Sequence, residues 1–164
     1  FDLTNFSNPQ LASALPMAGV EGNGWSYAHS EATHEHKAFQ YWAPRQLLAI
    51  PLSTYRYQYD EEARDYRYQY VSRLELIHVD TESGLSSYGS VDHSGFFNSQ
   101  NDYWWNSRDV RRSIFMGDYI YAISDRGVSA TNLDTMQLSA AYTLPGSVGH
   151  DYWDCWDCEG TMWD

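Results

Sequence analysis

The sequence predicts an all-β fold made of four-stranded units, on three observations. Aromatic residues make up 16% of the 164-residue chain, and 14 tyrosines and 7 tryptophans carry most of that share. Such side chains suit pleated, half-buried surfaces more than helices. The run from Val110 to Met136 alternates in three short stretches, Ile114 and Met116, then Tyr119, Tyr121 and Ile123, then Val128 and Ala130. Its breaks fall at Gly117-Asp118 and Asp125-Arg126-Gly127. A strand, an acidic or Asn-containing turn, a second strand and a Gly recur three times. The copies are FDLTNFSNPQLASALPMAG from Phe1, LELIHVDTESGLSSYGSVDHSG from Leu74 and VSATNLDTMQLSAAYTLPG from Val128.

In chain order, the first copy turns at Asn8-Pro9 and predicts an outer hairpin. Phe39–Trp42 and Leu47–Leu52 are apolar runs joined by Ala43-Pro44-Arg45-Gln46, and they read as an inner hairpin. The second copy turns at Glu82-Ser83-Gly84. Ser113–Met116 and Tyr119–Ser124 form another inner hairpin, followed by the third copy, which turns at Asp134-Thr135. Two insertions break the spacing. Residues 53–70, STYRYQYDEEARDYRYQY, interleave Tyr with charge and suit a twisted hairpin that extends beyond the sheet better than a short helix over 60–65. Residues 96–109 make a polar loop around Trp104-Trp105; this pair either plugs against the sheet, the plainer reading, or offers a contact surface.

An inner hairpin followed by an outer one is the four-stranded blade of a β-propeller. Residues 1–146 hold about two and a half such blades, against about four to eight in a closed ring. Blades bury their faces on one another, so the remaining blades are expected from upstream sequence or another polypeptide. Phe1 is no initiator, and a chain that opens inside a strand-like run is expected to continue upstream. Residues 147–164 form an acidic, aromatic tail.

Twenty-two acidic against 10 basic residues leave a net charge of -12, which opposes binding to a phosphate backbone. No nucleic acid is expected as a partner. No apolar run approaches the roughly 18 residues that span a bilayer, and no basic face suits a membrane surface, so no membrane insertion is expected.

Ser26–Leu52, Phe1–Pro9 and Arg111–Met136 together carry a family likeness. Its most specific pieces are Ser30-Glu31-Ala32, His36-Lys37-Ala38-Phe39 and the run Ile114 to Thr131. The chain resembles the end of secreted bacterial and archaeal proteins whose C-terminal domain is a β-propeller distantly related to WD repeats. That family usually shows Asp before His-Lys-Ala, where this chain has Glu35. The resemblance implies the C-terminal portion of a propeller, located outside the cell, at its surface or in the periplasm, and it names no substrate. The insertions and the tail after Gly146 fall outside it.

Two groups of residues invite chemistry. His29, His34 and His36, with Glu31 and Glu35 between them, offer metal ligands, since imidazoles at i and i+2 on a strand project to one face. The helical HExxH spacing is absent. The plain alternative is structural or exposed histidines, with His36 hydrogen-bonded inside the blade. In the tail, Cys155 and Cys158 form a C-x-x-C, and three readings compete. A redox motif is opposed by Asp154, Asp157 and Glu159, whose charge disfavours the thiolate. A zinc site lacks obvious further ligands. A short-looped disulfide of an exported protein is preferred. The tail acids could also gather Ca²⁺, although the EF-hand spacing is absent. Cofactors thus stay open between none and a divalent metal such as Ca²⁺, Zn²⁺ or Cu²⁺.

No G-x-S-x-G elbow is present, and Glu61-Glu62 sits in a charged insertion facing water rather than a sugar. The expected function is therefore a secreted binding or scaffold module for a protein or glycan rather than an enzyme. Tyr55, Tyr57, Tyr59, Trp104, Trp105, Trp153 and Trp156 are its contact candidates. The rivals are a metal-binding propeller or metalloenzyme, and one fragment of a nicked propeller in a larger surface assembly.

Overall fold

The computed structural model describes residues 1–17, 25–96 and 109–145. Among these residues, nine strands form two antiparallel sheets. The first contains β1 (Trp25–His29), β2 (Gln40–Trp42), β3 (Leu47–Asp60), β4 (Asp65–Asp80) and β5 (Gly84–Asp92). The second contains β6 (Arg112–Met116), β7 (Tyr119–Ile123), β8 (Gly127–Asn132) and β9 (Leu138–Thr143), paired in chain order.

Each hairpin closes where its turn residues can do so. Pro44 lies in a single 3-10 turn between β2 and β3, and Gln46 ends it in the left-handed region at φ 53°. Asp80 accepts hydrogen bonds from the Glu82 and Ser83 amides, at 2.9 and 2.6 Å, and Gly84 follows at φ 86°. Asn132 does the same for Asp134 and Thr135, both at 3.0 Å. These are side chains that mimic a backbone turn. The strands β2-β3-β4-β5 and β6-β7-β8-β9 are two complete four-stranded blades.

The blades pack face to face. Leu47, Ala49, Leu74, Leu76 and Val91 of the first sheet meet Val110, Ile120, Ala122 and Leu133 of the second unit, each 3% exposed or less. Burying a side chain of Leu or Ile size contributes roughly 1.5–3 kcal/mol, so this seam dominates what holds the pair together. A polar line runs beside it. Buried His93 reaches across from the first blade to Ser124 at 2.8 Å and Ser129 at 3.3 Å, with its ring 4.4 Å from that of Phe96. The Tyr88 hydroxyl donates to the Leu133 carbonyl at 2.7 Å, and Trp42 stacks on Phe115 at 5.3 Å. At the rim, Arg45 bridges to Asp134 and Asp118 on two turns of the second blade. Asp118, read as a turn residue alone, thus also joins blade to blade.

The first repeat copy departs from expectation. Residues 1–17 make one isolated bridge, Asp2 with Gln10, and no paired strands. Phe1, Leu3, Phe6 and Leu11 are exposed, so this hairpin lacks the apolar cover that a ladder needs, and it meets β5 through Ser13, whose hydroxyl accepts from the Leu85 amide at 3.0 Å. The far face of the second blade is also uncovered. Ile114, Met116, Tyr119 and Tyr142 alternate onto it and are exposed, as a blade face awaiting a neighbour would be.

Candidate functional site

β3 and β4 do not stop at the blade. They stay paired from Ser53↔Ser72 out to Asp60↔Asp65, a ribbon rather than a helix over 60–65, with β1 paired along its Ser53–Tyr57 edge. Asp60 holds the tip by accepting from the Glu62 and Ala63 amides at 3.0 and 2.9 Å. Tyr55, Tyr57 and Tyr59 alternate onto one face. Tyr66 and Tyr70 face them from β4, and Tyr27 from β1, by the registers Tyr59↔Tyr66, Tyr55↔Tyr70 and Tyr27↔Tyr55. Their rings form a ladder. Tyr57 and Tyr66 stack at 4.8 Å with planes 1° apart, Tyr59 meets Tyr66 edge-on at 5.1 Å, and Tyr55 lies 4.9 Å from Tyr70 and 6.1 Å from Tyr27. Tyr27, Tyr57, Tyr59 and Tyr66 remain 44–53% exposed despite those contacts.

The ladder is anchored at its base. The hydroxyls of Ser53 and Tyr70 both donate to the Asp109 carboxylate, and the Tyr70 hydroxyl also lies 3.4 Å from Ser53 Oγ. Burial, then the bond to Asp109, pushes the Tyr70 phenol far above its ordinary range, so it stays a donor. Serine, tyrosine and carboxylate meet here as a peg between ribbon and second-blade linker.

The histidine segment is not the strand that its spacing suggested. Ser30 caps a 3-10 turn, Glu31–Thr33, by accepting from the Ala32 amide at 3.2 Å. Glu35 caps a second, His36–Ala38, by accepting from Lys37 at 3.0 Å. That bond is the main reason the Glu35 carboxyl lies below its usual range. Two short turns replace period-2 geometry, so His34 and His36 do not share a face. His36 points to water, its side chain 87% exposed, and pairs with neighbouring Glu35 at 3.6 Å. The buried hydrogen-bonding role expected of His36 belongs instead to His93. His29 and His34 do come together, with ring centres 5.4 Å apart, and Glu31 joins them. The Glu31 carboxylate lies 3.7 Å from His34 Nε2 and 3.4 Å from Arg111.

A groove of 480 Å³ runs between Phe1, Asp2, Ser13 and the turn at Asp80–Leu85. Asp2 and Asp80 hold local turns there, each with its carboxyl lowered by those hydrogen bonds. Trp104, Trp105, Trp153, Trp156, Cys155 and Cys158 lie outside the described residues.

No helix among the described residues is long and apolar enough to cross a membrane. No curated protein and no solved structure matches the chain. A family model described as "Beta propeller domain" matches residues 1–136, which takes in the N-terminal segment and both complete blades up to, but not including, the last strand. By that match and by its own blade topology, the chain belongs to the β-propeller domain family.

Proposed function

We propose that this protein is a binding or scaffold module, acting outside the cell or at its surface, that presents the tyrosine ribbon to a protein or glycan partner. The carrying observation is the ladder Tyr27–Tyr55–Tyr70 with Tyr57–Tyr66–Tyr59: aromatic rings fixed against one another, of which Tyr27, Tyr57, Tyr59 and Tyr66 stay about half open to solvent. Such rings lose little conformational entropy on binding and offer large flat contact area. A propeller is in general a platform for binding, and the ribbon is what these blades add to it. The uncovered blade face at Ile114, Met116 and Tyr142, with exposed Phe1 and Phe6, supports further blades as the structural partners that complete the ring.

The test is a glycan array and a panel of purified surface proteins probed with the chain and with a Tyr57→Ser/Tyr59→Ser/Tyr66→Ser variant. Binding by the parent that drops at least tenfold in the variant is expected. Equal binding by both would remove the ribbon from the function.

A further inference from the structure

We propose that His29, Glu31 and His34 form a first-row divalent metal site of the Zn²⁺ type, with solvent as the remaining ligand. The donor atoms of these three side chains all lie within 4.8 Å of one another. Two imidazoles bound to one tetrahedral ion at about 2.1 Å have ring centres about 5.2 Å apart; those of His29 and His34 are 5.4 Å apart. Neighbouring ligand atoms on such an ion are about 3.4 Å apart, and Glu31 Oε2 lies 3.7 Å from His34 Nε2.

The surroundings select the tautomer that binds a metal. The Thr33 hydroxyl donates to the Ser30 carbonyl at 2.8 Å and lies 3.2 Å from His34 Nδ1. A hydroxyl whose proton is committed to a carbonyl accepts from Nδ1–H, which leaves the Nε2 lone pair free on the side of Glu31. Ser30 is itself fixed, because its hydroxyl donates to the Pro51 carbonyl on β3. Arg111 lies on the other Glu31 oxygen, Oε1, at 3.4 Å and helps to orient the carboxylate. The His34 side chain is 57% exposed, so an ion would have an open, water-facing position. Two imidazoles and one carboxylate suit Zn²⁺, Cu²⁺ or Ni²⁺, whereas Ca²⁺ takes six to eight oxygens.

The experiment titrates Zn²⁺ into the full chain carrying Cys155→Ser and Cys158→Ser, which removes the tail thiols as competitors. One ion per chain is expected, unaffected by excess Ca²⁺. His29→Ala, Glu31→Gln and His34→Ala should each weaken binding tenfold or more, while His36→Ala leaves it unchanged. Thr33→Ala, a positioning change, should weaken it several-fold and Thr33→Ser restore it. Imidazole ¹⁵N spectra of the unsubstituted residues report the ligating atom directly, with the His34 Nε2 resonance shifting on Zn²⁺ addition. Absence of stoichiometric binding, a loss on His36→Ala equal to that on His34→Ala, or an unmoved His34 Nε2 signal would each overturn the site.

Discussion

The sharpest consequence of the blade interface is an acid sensitivity that comes from one residue. His93 is fully buried, and its imidazole is held between Ser124 and Ser129 of the other blade. Burial lowers its pKa from 6.5 to about 4, with hydrogen bonding to Gly127 and the charge of Asp92 only partly opposing. The unfolded chain therefore takes up this proton as pH falls through 6.5, whereas the folded chain does so only near 4. The stabilisation is full above pH 6.5 and is lost progressively between 6.5 and 4. At about 1.4 kcal/mol per pH unit, the whole window is worth about 3 kcal/mol and the step from pH 7 to pH 5 about 2 kcal/mol. Denaturant unfolding at pH 7, 6 and 5 of the native chain and of His93→Gln reads this directly, because the other titrating groups cancel in the difference. The native chain should lose about 2 kcal/mol more than the variant over that interval. Parallel pH profiles would refute the reasoning, since they would mean that His93 titrates as a solvated imidazole.

Two further changes test the packing around the same seam and the ribbon. A Cβ at Gly127 would overlap Cε1 of the Phe96 ring; Gly127→Ala should cost about 1–3 kcal/mol by overpacking, measured by denaturant midpoint, and Phe96→Leu in the same chain should recover part of it. Tyr70→Phe removes a buried donor to the Asp109 carboxylate and should cost about 1.5–3 kcal/mol in the same assay, a loss that an exposed ribbon residue such as Tyr59 would not show.

The parts of the fold legible in sequence are those that local chemistry decides. Asp80, Asn132 and the Pro44–Gln46 turn close their hairpins with groups a reader can see, and the period-2 pattern places the strands, but the face it picks out, Ile114, Met116 and Tyr119, is the exposed one, while Ile120 and Ala122 opposite are buried. Residues 53–70 read as a ribbon because their tyrosines also alternate. Part of what escaped reading depends on groups distant in the chain, and part on local capping that the period-2 reading passes over. The hairpin at 1–17 has turn chemistry but leaves its apolar side chains Phe1, Leu3, Phe6 and Leu11 exposed, so one bridge survives. The spacing of two between His34 and His36 reads as a strand, but the capping side chains Ser30 and Glu35, ahead of Ala32 and Lys37, are what fold that segment into turns. His93 carried no signal at all: a histidine before Ser-Gly looks like a loop residue until the second blade covers it.

β1 explains why the ribbon and the histidine cluster lie together. Its five residues pair with Ser53–Tyr57, the part of β3 that projects past β2, whose own pairing ends at Ala49. Between these two short edge partners sits Pro51, whose missing N–H costs nothing where no strand pairs on that side and whose carbonyl takes the Ser30 hydroxyl. Period-2 geometry then places Tyr27 and His29 on one face of β1, Tyr27 against the ladder and His29 against His34. The extension of one hairpin thus creates the edge that seats β1, and β1 carries one member of each group of side chains. The features particular to this chain arise from that single departure from the four-stranded blade, while the seam of Leu47, Leu74, Ile120 and Leu133 only holds it in place.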